Sequence, residues 1–123
     1  MAVKHPYGAM DCGLAVNPGT VESQIMGQLV QTASRMLLEE VKFDQTSVTS
    51  LDWSSYPILR FEECPEVTAV VVQRLDQRSS GAGEEVMAAA AGAIANAFFD
   101  ATGVRMETFP FTKPRVLAAI RRA

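Results

Sequence analysis

From Glu84 to Thr102 the chain runs without a proline, is dominated by alanine, and is followed at once by Gly103. Alanine has the best intrinsic helix propensity, and glycine is the commonest residue just past a helix end. The spacing predicts a helix over 84–102. Small and apolar residues fall nearly all round it, which predicts packing on several sides. Its most apolar part, Val86 to Phe99, is shorter than the ~20 residues a membrane span needs and is interrupted by Asn96. Such a helix is stable only against neighbours, so the rest of the chain must supply them.

One neighbour is legible upstream. Asn17-Pro18-Gly19 is a strong turn signal, and Thr20 can cap the helix that follows. Val21, Ile25, Leu29, Ala33, Met36 and Leu37 recur at helical spacing to about Glu39, with Glu22, Gln31 and Arg35 on the opposite face. Before this helix, Gly8 to Val16 reads as a strand or extended segment. After it, residues 41–61 read as short strands and loops, with Pro57 arguing against a central strand. Val67 to Leu75, centred on Val70-Val71-Val72, is the best strand, and Asp76 to Gly83 is a polar loop. Val104 to Phe111 reads as a further strand, and Lys113-Pro114 opens a last short helix through Val116, Leu117 and Ile120. The expectation is one α/β (α+β) domain, a small mixed sheet packed against an amphipathic helix and an Ala-rich helix.

Composition narrows the chemistry. Hydrophobic residues make up 48% and charged residues 20% of 123, as in a globular domain. The net charge of −3 with scattered basic residues argues against a nucleic-acid partner. The two cysteines, Cys12 and Cys64, lie far apart, which fits neither a disulfide framework nor a zinc site; both are expected to be small buried hydrophobes. The one histidine, His5, stands beside a proline in an N-terminus expected to fray. Glu39-Glu40 and Glu62-Glu63 read as solvated surface pairs.

Ser79-Ser80-Gly81-Ala82-Gly83-Glu84-Glu85 is more informative. A glycine loop feeds a hydrophobic helix, with a carboxylate at the junction. Glycines there let a backbone approach a bulky ligand, and a helix N-terminus offers amides to an anion. The residues alone leave two readings open, a ligand site and an ordinary acidic first turn.

Four segments in order carry a resemblance. Asp11-Cys12-Gly13-Leu14-Ala15-Val16-Asn17-Pro18 resembles an Asp-x-Gly-x-x-x-Asn-Pro pattern, and Gln24-Ile25-Met26-Gly27 a Gln-x-x-Gly pattern. Gly81-Ala82-Gly83-Glu84 matches a Gly-x-Gly-Glu loop. Ala95-Asn96-Ala97, Ala101-Thr102-Gly103-Val104-Arg105 and Phe109-Pro110-Phe111 are similar to a closing stretch. Together they resemble the C-terminal end of the large, molybdenum-binding subunit of xanthine-oxidase-type molybdenum hydroxylases, most nearly isoquinoline 1-oxidoreductase β-subunits and aldehyde oxidases. The chain departs from that pattern at two positions: Gln28 stands where a second glycine follows Gly27, and Glu85 where proline or a small residue follows Glu84.

The resemblance implies a fragment, residues 1–123 being the C-terminal part of a molybdopterin-binding domain. It implies an oxidoreductase that hydroxylates N-heterocycles or oxidises aldehydes. Glu84 is then the general base that takes the proton from a hydroxyl on molybdenum. Gln24, Gly81, Ala82, Gly83 and Glu85 become cofactor contacts, with no protein ligand to the metal. The cofactor implied is molybdopterin cytosine dinucleotide, expected on the full-length subunit and not on the fragment, which is expected to be inactive and to leave Glu84 solvated. The partners implied are the remainder of the large subunit, an iron–sulfur subunit and a small heterocycle or aldehyde, in a bacterial cytoplasm or periplasm. Self-association through exposed apolar surface is a further expectation. The alternative is a non-catalytic scaffold or assembly domain that keeps the fold.

Overall fold

The structure, a computed structural model, describes residues 1–122. In chain order it has β1 (Tyr7–Asp11), α1 (Pro18–Leu37), a 3-10 turn (Phe61–Glu63), β2 (Thr68–Val72), α2 (Glu85–Thr102) and α3 (Lys113–Ile120). β1 and β2 form a two-stranded parallel sheet running from Tyr7 opposite Thr68 to Asp11 opposite Val72. Parallel neighbours need a crossover, and α1 lies within it. Among the described residues no helix is long and apolar enough to cross a membrane.

α1 begins earlier than expected. Asn17, not Thr20, is its cap: the Asn17 Oδ1 accepts from the Thr20 amide at 3.2 Å. Pro18 opens the helix, where its missing N–H costs nothing. The expected apolar stripe is the buried one: Ile25, Leu29, Ala33, Met36 and Leu37 face inward, and Glu22, Gln31 and Arg35 outward.

α1 and α2 lie against each other and share two cores. Near the sheet, Met10, Cys12, Ile25 and Leu29 meet Val86 and Ala90. At the other end, Ala33, Met36 and Leu37 meet Ile94, Phe98 and Phe111. Gly8 lets β1 lie directly on α1, since a Cβ there would stand 2.8 Å from Ile25 Cγ2 and 2.9 Å from Leu29 Cδ1. Burial of a side chain such as Ile25 contributes about 1.5–3 kcal/mol.

Several expectations are corrected. α2 buries one stripe, Val86, Ala90, Ile94 and Phe98, rather than several faces; Ala89, Ala93 and Ala97 are exposed along a groove shared with the N-terminal segment. Its end is as expected, at Gly103 with φ 71°. Val104–Phe111 is not a strand. The chain there wraps the end of α1: the Phe111 amide donates to the Met36 carbonyl, and Arg115 donates to the carbonyls of Phe109 and Pro110. Residues 41–61 hold one isolated bridge, Phe43 with Val48, because side chains there satisfy the backbone locally.

Cys12 is buried but Cys64 is exposed. His5 is tied down rather than frayed, 2.9 Å from Thr68 Oγ1 and stacked on Tyr7 at 4.5 Å. Glu39 and Glu40 are half-buried and engaged, Glu39 accepting from the Tyr56 hydroxyl at 2.8 Å and Glu40 pairing with Arg115. The first of these bonds pushes the Tyr56 phenol up from its ordinary value, because the carboxylate holds its proton. Glu62 and Glu63 are exposed, as expected.

Candidate functional site

Three of the segments that stand out in the sequence meet where β1 ends, α1 passes and α2 begins. After β1 the chain turns at Gly13, whose φ of +73° lies in the left-handed region. A side chain there is disfavoured twice: by the backbone conformation, and because its Cβ would run into the Arg78 carbonyl. The Asp11 Oδ1 accepts from the Gly13 amide at 3.0 Å and fixes the turn.

The loop before α2 is laced to that turn. The Ser80 amide donates to the Cys12 carbonyl at 2.9 Å, the Ser79 hydroxyl to the Leu14 carbonyl at 2.6 Å, and the Leu14 amide to the Gln77 carbonyl at 3.2 Å. Gln73, just past β2, bonds Ala15 in both directions, its Oε1 accepting at 2.8 Å and its Nε2 donating at 2.9 Å. Arg74 pairs with Asp11 and Asp76 on the surface. Gln77 donates to the Asp76 carboxylate and holds it below the usual range.

Gly81 to Glu84 projects from this knot. Glu84 is exposed, occupies the cap position of α2 and makes no capping hydrogen bond. The helix thus starts one residue after the expected Glu84. Glu85 folds back, its Oε2 accepting from the Glu84 amide at 2.9 Å, and its carboxylate lies against Gly81. Ala82 is half-buried beside the first core. A Cβ at Gly83 or at Gly27 would meet nothing within 4 Å, so both backbones are open to approach. Gln24 is exposed, one helical turn before Gln28 on the same side of α1. The structure therefore brings Asp11–Leu14 against the loop that carries Gly81 to Glu85, with Gln24 one turn from the residue that holds that loop. The closing stretch at 109–111 lies apart, in the second core. Among the described residues no group of three or more His, Cys, Asp or Glu could hold a metal ion.

Two residues of this junction escape the sequence reading as site residues, Gln28 and Gln73. Gln28 is 3% exposed and bonds both sides of the Glu84 position. A signal exists for it: Gln24, Gln28 and Thr32 recur every fourth residue beside the apolar stripe, where the outward face would not be. Gln73 has none, since a glutamine after a valine run reads as a strand end.

Comparison with known proteins fits this geometry. A nicotinate dehydrogenase subunit of Pseudomonas putida is 44% identical over 110 residues, covering 89% of this chain and 9% of the relative. The beta subunit of isoquinoline 1-oxidoreductase from Brevundimonas diminuta is 28% identical over 123 residues, covering 100% of this chain and 15% of the relative. The crystal structure of quinoline 2-oxidoreductase from Pseudomonas putida 86 superposes with a TM-score of 0.82 at 27% identity, covering 98% of this chain and 16% of that one. The chain thus spans between 9% and 16% of the length of these relatives. Residues 1–65, just over half of it, match the family described as molybdopterin cofactor-binding domain. With the turn, helix and glycine loop arranged as above, the chain belongs to that family, the cofactor-binding segment of molybdenum hydroxylase subunits.

Proposed function

We propose that this chain is the C-terminal part of a molybdenum hydroxylase large subunit and carries its general base, Glu84. The observation that carries the reading is the junction itself. An exposed carboxylate without a capping bond stands at the start of α2, on a loop held by Cys12, Leu14 and Gln28. Residues here fit a bulky cofactor: open backbone at Gly83 and Gly27, small side chains along the loop, and the exposed Gln24 one turn from Gln28.

Gln24 and the Gly81–Gly83 backbone would hold molybdopterin cytosine dinucleotide, with Ala82 and Glu85 shaping the loop beneath it. When bound, the cofactor supplies the oxygen atom transferred to substrate and takes up the electron pair. The role of Glu84 would be to accept, at a carboxylate oxygen, the proton released when the substrate is oxidised. The substrate proposed is an aromatic N-heterocycle, supported by relatives named for nicotinate, isoquinoline and quinoline, with aldehydes as the second class. Electrons would leave through an iron–sulfur subunit. The 123-residue chain alone is expected to be inactive.

The test expresses the full-length subunit with its iron–sulfur partner, as wild type and as Glu84→Gln. Assays use nicotinate, isoquinoline and an aromatic aldehyde at matched molybdenum content. Loss of turnover by orders of magnitude with the metal retained supports the base. Equal turnover in both proteins sinks it. Failure of both proteins to bind molybdenum favours the scaffold reading.

A further inference from the structure

We propose that Gln28 is the positioning residue of the glycine loop, setting where Glu84 stands relative to α2. The inference rests on the reading of Glu84 as base and adds a residue to it. Gln28 is 3% exposed. Its Nε2 donates to the Ala82 carbonyl at 2.9 Å, and its Oε1 accepts from the Val86 amide at 2.8 Å. Ala82 and Val86 flank Gly83, Glu84 and Glu85, so one side chain on α1 grips both ends of the segment that presents the carboxylate.

Chemistry makes this grip specific. The Val86 amide belongs to the first turn of a helix, where amides lack an intrahelical partner. The Ala82 carbonyl beside the core needs a donor. A carboxamide supplies one acceptor and one donor in a fixed plane; a carboxylate only accepts, a thioether does neither, and asparagine is one carbon short. Gly83 lies between the two gripped residues with nothing near its Cβ position, so without the grip its backbone is free to wander. The further bonds to Glu84, its amide to the Glu85 carboxylate and the Met87 amide to its carbonyl, are local. They fix neighbours, not the loop's place on the domain.

The experiment uses the assembled holoenzyme with Gln28→Met and Gln28→Glu beside wild type and Glu84→Gln. Hydrogen exchange is read at Val86 and along β1, and kcat and KM are measured across pH at matched molybdenum content. In Gln28→Met, Val86 is expected to exchange ~10-fold faster while β1 is unchanged, the effect of losing one well-made bond. In the same variant kcat is expected to fall about 10- to 100-fold with KM within about two-fold, and the acid limb of its pH profile to move, as a displaced base requires. Gln28→Glu keeps the acceptor for Val86 and loses the donor to Ala82. Its Val86 exchange should stay near wild type and its kcat lie between the two. If Gln28→Met fails to assemble, the glutamate variant alone decides by the same measures. Unchanged kcat, or unchanged Val86 exchange in the methionine variant, overturns the assignment. Retained turnover in Glu84→Gln defeats the base instead, and the exchange data still report whether the grip exists.

Discussion

The junction and the excursion between α1 and β2 are built from the same kinds of polar residue, yet they bond in opposite ways. At the junction, partners are far apart in sequence: Gln73 with Ala15, Ser79 with Leu14, Ser80 with Cys12, Gln28 with Ala82 and Val86. In the excursion most are near neighbours, apart from the bonds of Leu59 to Ser34 and Tyr56 to Glu39 that tie it to α1 and its end. Asp44 accepts from Thr46 and Ser47, Asp52 from Ser54 and Ser55, and Glu63 from Arg60. Local turns fix the shape of a loop; long-range bonds fix its place. Only the second kind can present a carboxylate at a defined point, and the candidate base stands where those bonds are densest.

The contrast is open to attack in four places. Ile25→Ala removes the side chain on which β1 rests and should cost about 2–5 kcal/mol in denaturant titrations. Loss of less than ~1 kcal/mol would mean that the junction does not depend on its core. Gly13→Ala should cost about 1–2 kcal/mol for the left-handed backbone alone, with further strain against the Arg78 carbonyl. Amide exchange at Leu14 and Ser80 should rise before any global unfolding, and equal effects throughout the chain would remove the distinction. Asn17→Ala, which takes away the cap of α1, should cost ~1 kcal/mol and lower the melting temperature without altering exchange at Ser80.

The smallest effect is expected in the excursion, and it depends on pH. The Thr46 amide, then the Ser47 amide, holds the Asp44 carboxyl below the usual range; the Ser55 hydroxyl, then its amide, does the same for Asp52. A depressed carboxylate stabilises its turn above the ordinary aspartate range, and that contribution is lost as pH falls through the lowered value. Acid should therefore loosen 44–47 and 52–55 first, seen as exchange at Thr46, Ser47 and Ser55, with Val86 still protected. Melting of the junction before these turns would reverse the comparison.

What is legible in the sequence follows the same divide. Periodicity exposes α1 and α2, since burial of a stripe repeats every three or four residues and leaves a trace at Ile25, Leu29 and Ala33. The cap falls at Asn17 rather than Thr20 because proline at the first helical position is as good a start signal as the threonine after it. The stretch 104–111 has the composition of a strand, but its backbone bonds go to the end of α1 rather than to a sheet. No local pattern encodes that. Glu84 is legible from motif and position, whereas for Gln28 the sequence shows only its place beside the apolar stripe and not the partners it grips. A glutamine on a helix looks solvated until the residues 54 and 58 positions away are brought to it.

The parallel pairing of β1 with β2 has a temporal consequence. Tyr7 cannot meet Thr68 until the intervening chain exists and has doubled back, so ring closure over that distance must precede the sheet. During synthesis β1 leaves the ribosome before β2, and the edge that takes β2 stays open until β2 follows. The glycine loop and α2 come later still in the chain, so Glu84 can take its place beside Cys12 only after both strands have been made.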